Sequence, residues 1–327
     1  MQDNSELNLK QNVCSKNIIF GTKWLFVVII SYVLYQNFKQ KGQNLDLIIN
    51  EFSKIFALKN VLMLCIVFIL IIINWACEAK KWQNLSSNFN SLSFTDAFQS
   101  VLVGLSLGFI TPANLGDFAG RIIHLKNQNR KQGIGAILLG NGIQFYVTLI
   151  FGILAYLFFY GIYFPIFHQI IFGLLIICTI LGIVIFLQKN NINYFFNKSK
   201  WLSTYKIYWE SLINFENSTF KVVFCWSILR FLVISLQFVL VLQIFGIDIE
   251  FIQLWSVSCL VLLFKTIIPQ VNFLTDLGVR ELSALHFFSL LSVNLSSVVS
   301  AIFFIWVINI LLPVLIGGFF FMNIKSR

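Results

Sequence analysis

Two stretches of this 327-residue chain, 132–188 and 282–324, contain no Asp, Glu, Lys or Arg. Each is longer than the roughly 20 apolar residues that carry one helix across a bilayer. Shorter charge-free runs lie at 24–38, 60–77, 97–116, 231–247 and 251–264. Apolar residues make up 58% of the chain and charged residues 11%, against about 25% charged in an ordinary soluble domain. Mean hydropathy is +0.84. A soluble fold must wet much of its surface and could not hide these runs. A soluble globule, a disordered chain and a collagen-like chain are excluded, and an all-α, polytopic integral membrane protein is expected.

The long runs carry internal breaks, at Tyr160-Gly161-Ile162-Tyr163-Phe164-Pro165 and at Asn294-Leu295-Ser296-Ser297. The pattern predicts about six full crossings, near 18–38, 57–78, 133–160, 165–188, 221–246 and 297–322. A polar tail, 1–17, precedes them, and no small-residue cleavage site follows the first apolar run, so that run reads as a retained helix. The remainder, 18–324, reads as one transmembrane domain. Its first half is 18–188, its cytoplasmic loop 189–221 and its second half 221–324.

Two regions, 93–130 and 251–292, fit no single crossing. Each holds two apolar pieces separated by Pro and by a Gly-plus-charge element. Treating both as re-entrant hairpins leaves only Lys39, Lys41, Lys54 and Lys59 on one face. Arg230, Lys265 and Arg280 fall within membrane segments, and the rest of the 23 Lys and Arg gather on the other face. Full crossings would erase that bias. The positive-inside rule therefore predicts hairpins that open from opposite sides, with both termini cytoplasmic.

The net charge of +10 fits loops that touch anionic headgroups, and no nucleic-acid partner is expected. The six Cys (Cys14, Cys65, Cys77, Cys178, Cys225, Cys259) form no CxxC pair, and His124, His168 and His286 are far apart in sequence. No metal or other cofactor is expected. There is no acid/base pair with His and no nucleophile elbow, so an enzyme is not expected. No Walker A sequence is present, so any transport would be downhill or ion-coupled.

The two hairpins resemble each other. The first carries Pro112, Gly116, Asp117 and Arg121; the second carries Pro269, Asp276, Gly278, Arg280 and Glu281. Proline frees backbone carbonyls in a helix, and Gly116 and Gly278 would permit close approach or positive φ. Asp117 and Arg121, spaced i,i+4, can pair on one face. Arg280 and Glu281 point to different sides of a helix, so each calls for a separate partner, for instance in the other hairpin. Opposed broken hairpins of similar sequence indicate an inverted repeat around a midplane site. Helix-start N–H groups plus Arg121 and Arg280 would suit a phosphate, with the acids orienting the Arg or taking protons. A structural ion pair is the competing reading of Asp117–Arg121. Arg230 is either buried and paired or near a lipid phosphate, and Lys265 either snorkels or touches substrate. Glu78, Lys81 and Trp82, with Trp75, read as an interfacial belt.

At these residues the chain resembles the lysylphosphatidylglycerol synthase transmembrane region, or flippase-like, family. The likeness runs over about 15–325. It is carried by Asn74-Trp75 through Lys81-Trp82, Pro112…Gly116-Asp117…Arg121, Pro269…Gly278-Val279-Arg280-Glu281 and Leu311-Leu312-Pro313…Gly317-Gly318. The resemblance implies a protein that handles membrane lipids, an anionic phospholipid or a polyprenyl-linked precursor. The soluble aminoacyltransferase domain of the bifunctional members finds no room in this chain. Where many relatives are Gly-rich before Gly-Val-Arg-Glu, it has Asn272-Phe273-Leu274-Thr275-Asp276. The expected function is translocation of a lipid or lipid-linked precursor. The alternative is a non-transporting accessory subunit bound to a glycosyltransferase or lipid-synthesis enzyme. A second copy of the chain or such an enzyme is a further candidate partner.

Overall fold

A computed structural model describes residues 55, 57–160, 166–188, 191, 215–269 and 273–323. The expected first crossing at 18–38, the tail 1–17, most of the loop 189–221 and the break at 161–165 lie outside the described residues. The described chain is helical, with no strand in it. Its helices are α1 (Val61–Ser86), α2 (Phe94–Ile110), α3 (Leu115–Arg121), α4 (Arg130–Tyr160), α5 (Ile166–Leu187), α6 (Asn217–Ile244), α7 (Phe251–Ile267), α8 (Phe273–Ser289), α9 (Leu295–Trp306) and α10 (Leu312–Asn323).

Among the described residues, four helical stretches are long and apolar enough to cross a membrane: Val61–Ser86, Asn127–Tyr160, Asn217–Ile244 and Leu295–Asn323. The expected crossing at 165–188 corresponds to α5, whose stretch His168–Val184 falls among the shorter apolar helices. The outward faces are apolar: Leu62, Ile69 and Ile72 on α1, Leu174, Ile177 and Leu181 on α5, and Phe319 on α10 are all exposed. In water such a surface would aggregate; in hydrocarbon it is the solvated one. The last span contains a π-helical turn, Val307–Leu311, just before Pro313. Proline there has no N–H to give the carbonyl four residues back, and the wider turn absorbs the mismatch.

α1 and α6 form the antiparallel spine. Asn60 Nδ2 donates to the Ile244 carbonyl at 3.2 Å, Gln237 Nε2 to the Val67 carbonyl at 3.2 Å, and Arg230 Nε to Asn74 Oδ1 at 3.1 Å. The rungs step forward along α1 and backward along α6 by two turns at a time. The hairpin that follows α1 and the one that follows α6 therefore start from opposite ends of this spine. That is the arrangement an inverted repeat requires. The halves match in detail, since α2 and α7 each begin at a Phe and run 17 residues. At 1.5 Å per residue each is about 25 Å long, short of a full crossing.

The first hairpin doubles back as expected. Gly104 of α2 faces Gly120 of α3, and Gly116 lies against the Leu107 carbonyl, so a Cβ at Gly116 or Gly120 would collide with backbone. The reversal is made by Ala113 and Asn114, both left-handed with φ of 52° and 56°, and is tied down by Gly116 N–H donating to Thr111 Oγ1 at 2.7 Å. Asn129, beyond α3, donates to the carbonyl of Phe89, before α2, at 2.7 Å. The chain thus returns to the end from which it entered. α7 and α8 make the second pair, with Phe264 against Phe287 at 5.4 Å between ring centroids. Here the helix opens at Phe273, so Gly278 lies inside α8, and no described atom outside its own surroundings comes within 4 Å of where its Cβ would stand. The expectation that Gly278 serves a close approach or a positive φ is therefore corrected: the break lies earlier, before α8 begins.

Candidate functional site

Asn74, Glu78 and Lys81 stand on one stripe of α1, at i, i+4 and i+7, and face inward. Glu78 is 3% exposed and Lys81 1%. The expected interfacial belt is thus a buried centre, because α1 continues to Ser86 and keeps these residues away from its end. Glu78 pairs with three cations: Arg121 Nη1 of α3 at 2.7 Å, Arg230 Nη1 of α6 at 2.8 Å and Lys81 Nζ at 2.9 Å. Arg121 Nε also reaches both oxygens of Asp117, at 2.8 and 3.0 Å, which is the i,i+4 pair expected from spacing. Lys81 donates in addition to Gln144 Oε1 of α4 at 3.0 Å, and the Arg230 guanidinium lies over the Trp75 ring at 5.6 Å. Of its two readings, Arg230 takes the paired one, half-buried between Glu78, Asn74 and Trp75. Buried carboxylates and cations of this kind survive only when each has partners.

A second cluster belongs to the other hairpin. Arg280, 2% exposed, holds Asp276 through Nε at 3.1 Å and Nη2 at 3.4 Å. Lys265, at the end of α7, meets the same carboxylate at 3.7 Å. Arg280 therefore has a partner of its own, as expected, but one turn back on its own helix and not in the other hairpin. Glu281, also buried, lies about 100° further round α8.

The two clusters lie within electrostatic reach of each other. Arg230 is near enough to Lys265 for its charge to act there. Trp306 of α9 packs against Phe109, at the end of α2, with centroids 6.3 Å apart and the rings tilted by 41°. Its indole N–H approaches Asp276 without reaching hydrogen-bond geometry. Groups from both hairpins thus converge on one buried region. Of the residues expected there, Asp117, Arg121, Asp276 and Arg280 are in it. Gly116 packs the first hairpin, and Pro112 and Pro269 stand exposed at the two breaks.

The model for the lysylphosphatidylglycerol synthase TM region matches residues 24–317. The chain belongs to this family. No curated protein and no solved structure matches it. For a member of the lysylphosphatidylglycerol synthase TM-region family, the arrangement amounts to a multi-pass helical membrane protein with its ionisable groups gathered inside. Such groups at membrane depth are costly and mark functional paths by default. Among the described residues no group of three or more His, Cys, Asp or Glu could hold a metal ion. Glu78 and Lys81, read from the sequence as an interfacial belt, belong to the site instead, together with Asn74 and with Gln144 of α4. For the three residues on α1 the signal was present as an i, i+4, i+7 polar stripe on an otherwise apolar helix.

Proposed function

We propose that this protein carries a lipid with an anionic headgroup between the leaflets of a bacterial inner membrane, with both termini on the cytoplasmic side. The observation that carries the reading is the inward-facing charge of both hairpins: Asp117–Arg121 shares Glu78 with Arg230, and Asp276–Arg280 with Lys265 lies within electrostatic reach of Arg230. The cost of moving a headgroup through hydrocarbon is the loss of its water. Fixed donors within the protein replace that water, and the acyl tails stay in the surrounding lipid against the apolar outer faces. The opposite starting ends of the hairpins support access from each leaflet in turn.

Leaflet-specific lipid labelling in vesicles reconstituted with the full chain tests it. Fluorescent phosphatidylglycerol should exchange between leaflets faster than in empty vesicles, and Arg280→Ala should slow that exchange. Exchange at the empty-vesicle rate overturns the reading.

A further inference from the structure

The two longest charge-free runs, 132–188 and 282–324, each carry one histidine, and the fold brings the two together. His168 lies in the first turn of α5 and His286 in the last turn of α8. Their rings stack with centroids 5.7 Å apart and planes 29° apart. α4 holds His168 as well: the Tyr160 hydroxyl and His168 Nε2 hydrogen-bond at 3.1 Å, and the two rings lie 4.6 Å apart. His168 is buried, whereas His286 is exposed. Next to His286, Phe287 packs on Phe159 of α4 with centroids 5.7 Å apart. The end of the second hairpin is thus laid against α4 and α5 through the histidine pair and its aromatic neighbours. α4 starts beside the base of the first hairpin and runs 31 residues to Tyr160. The pair therefore stands at the opposite end of the spine, where the second hairpin enters.

The titratable groups that face His168 are Tyr156 and Tyr160 of α4 and His286 of α8. Among the described residues, the charge that acts on it is that of His286. Arg280 and Glu281 lie more than a turn back along α8, and Lys265, at the end of α7, meets Asp276. α4 beyond Lys131, α5, the last turn of α8 and α9 contain no Asp, Glu, Lys or Arg. No carboxylate on these segments can neutralise a doubly charged pair.

We infer that His168 and His286 form a proton-binding latch at the mouth of the second hairpin: with at most one proton the rings stay stacked, and with two the end of α8 is pushed off α4 and α5. The helix dipole favours a cation at the C-terminal end of α8 but not in the first turn of α5. One proton therefore rests on His286 at little cost, and a second charge, on His168, faces it directly. Two unit charges at such a separation shift a two-state balance by about a hundredfold at an effective dielectric constant of about 20. Histidine changes charge between about pH 5 and pH 8, so the latch answers to the acidity on the side its mouth faces. Under the topology expected from the charge bias, that side is away from the cytoplasm. The latch goes beyond lipid handling and stands on this packing alone, so it holds whether or not a lipid is moved.

The test uses the full-length protein in detergent, with native cysteines removed and spin labels on Ile170→Cys of α5 and Leu282→Cys of α8, both exposed positions. Electron paramagnetic resonance reads the distance between the labels at about pH 8 and at about pH 5, the two ends of the histidine range. The distance should lengthen at the lower pH. His286→Gln leaves a single ionisable ring and should keep the high-pH distance throughout. His168→Gln, the second variant should His286→Gln fail to fold, should do the same. No lengthening in the protein with both histidines, or lengthening that persists in either variant, overturns the latch.

Discussion

Arg230 and Glu78 face each other across the antiparallel pair α1 and α6, with Nη1 and Oε2 2.8 Å apart. This bond ties the first half of the chain to the second at the level where each presents its charges. Glu78 also holds Arg121 and Lys81, so one carboxylate is shared by cations from α1, α3 and α6.

Glu78→Gln should therefore be severe. It leaves Arg121, Arg230 and Lys81 with Asp117 as the remaining acid of that cluster. Loss of one partner from a buried ion pair costs roughly 3–5 kcal/mol. Thermal unfolding in detergent should show a large drop. Adding Arg230→Gln should cost less than the sum of the two single changes, since it removes an uncompensated cation.

The register of α1 and α6 is open to cross-linking. With native cysteines removed, cysteines at Val67 and Gln237 should join through a short bifunctional reagent, because the Gln237 amide bonds the Val67 carbonyl at 3.2 Å. Cysteines at Val67 and Arg230 should not, being offset by two turns, about 10 Å along the axis. The opposite pattern in a non-reducing gel would remove the antiparallel spine.

Two glycines should behave in opposite ways. Gly120→Ala sets a methyl into the Gly104 backbone and should pry the first hairpin apart, with loss of folded protein in size-exclusion chromatography. Gly278→Ala meets open space within α8 and removes the helix penalty of glycine, about 1 kcal/mol. Its unfolding temperature should hold or rise.

The turn at the tip of the first hairpin stores strain that a single change relieves. Ala113 is left-handed at φ 52° and exposed, a conformation that costs an L-residue roughly 1–2 kcal/mol. Ala113→Gly should raise the unfolding temperature, read by the same melt.

Much of this architecture was legible in the sequence. Charge-free runs located the described crossings, and the Asp117–Arg121 spacing foretold an ion pair because helix geometry alone decides it. The buried centre was harder to see. Glu78 and Lys81 follow directly on the apolar run 60–77, and charges at the end of such a run look like an interface. The helix instead continues to Ser86, and partners on α3, α4 and α6, far away in sequence, neutralise them. Asp276–Arg280 has the same i,i+4 spacing as the first pair. It was obscured because Gly278 between them resembled a helix start, whereas α8 begins at Phe273. Long-range pairing decided the first, and the position of a helix start decided the second.

The central claim is that the two hairpins enclose a place for a lipid headgroup. The most direct measurement is a cryo-electron microscopy map of the full chain in nanodiscs rich in phosphatidylglycerol. The account predicts lipid density between the α2–α3 and α7–α8 pairs, with the headgroup beside Arg121 and Arg280. Lipid confined to the outer faces of the helices, with none between the two hairpins, would contradict it.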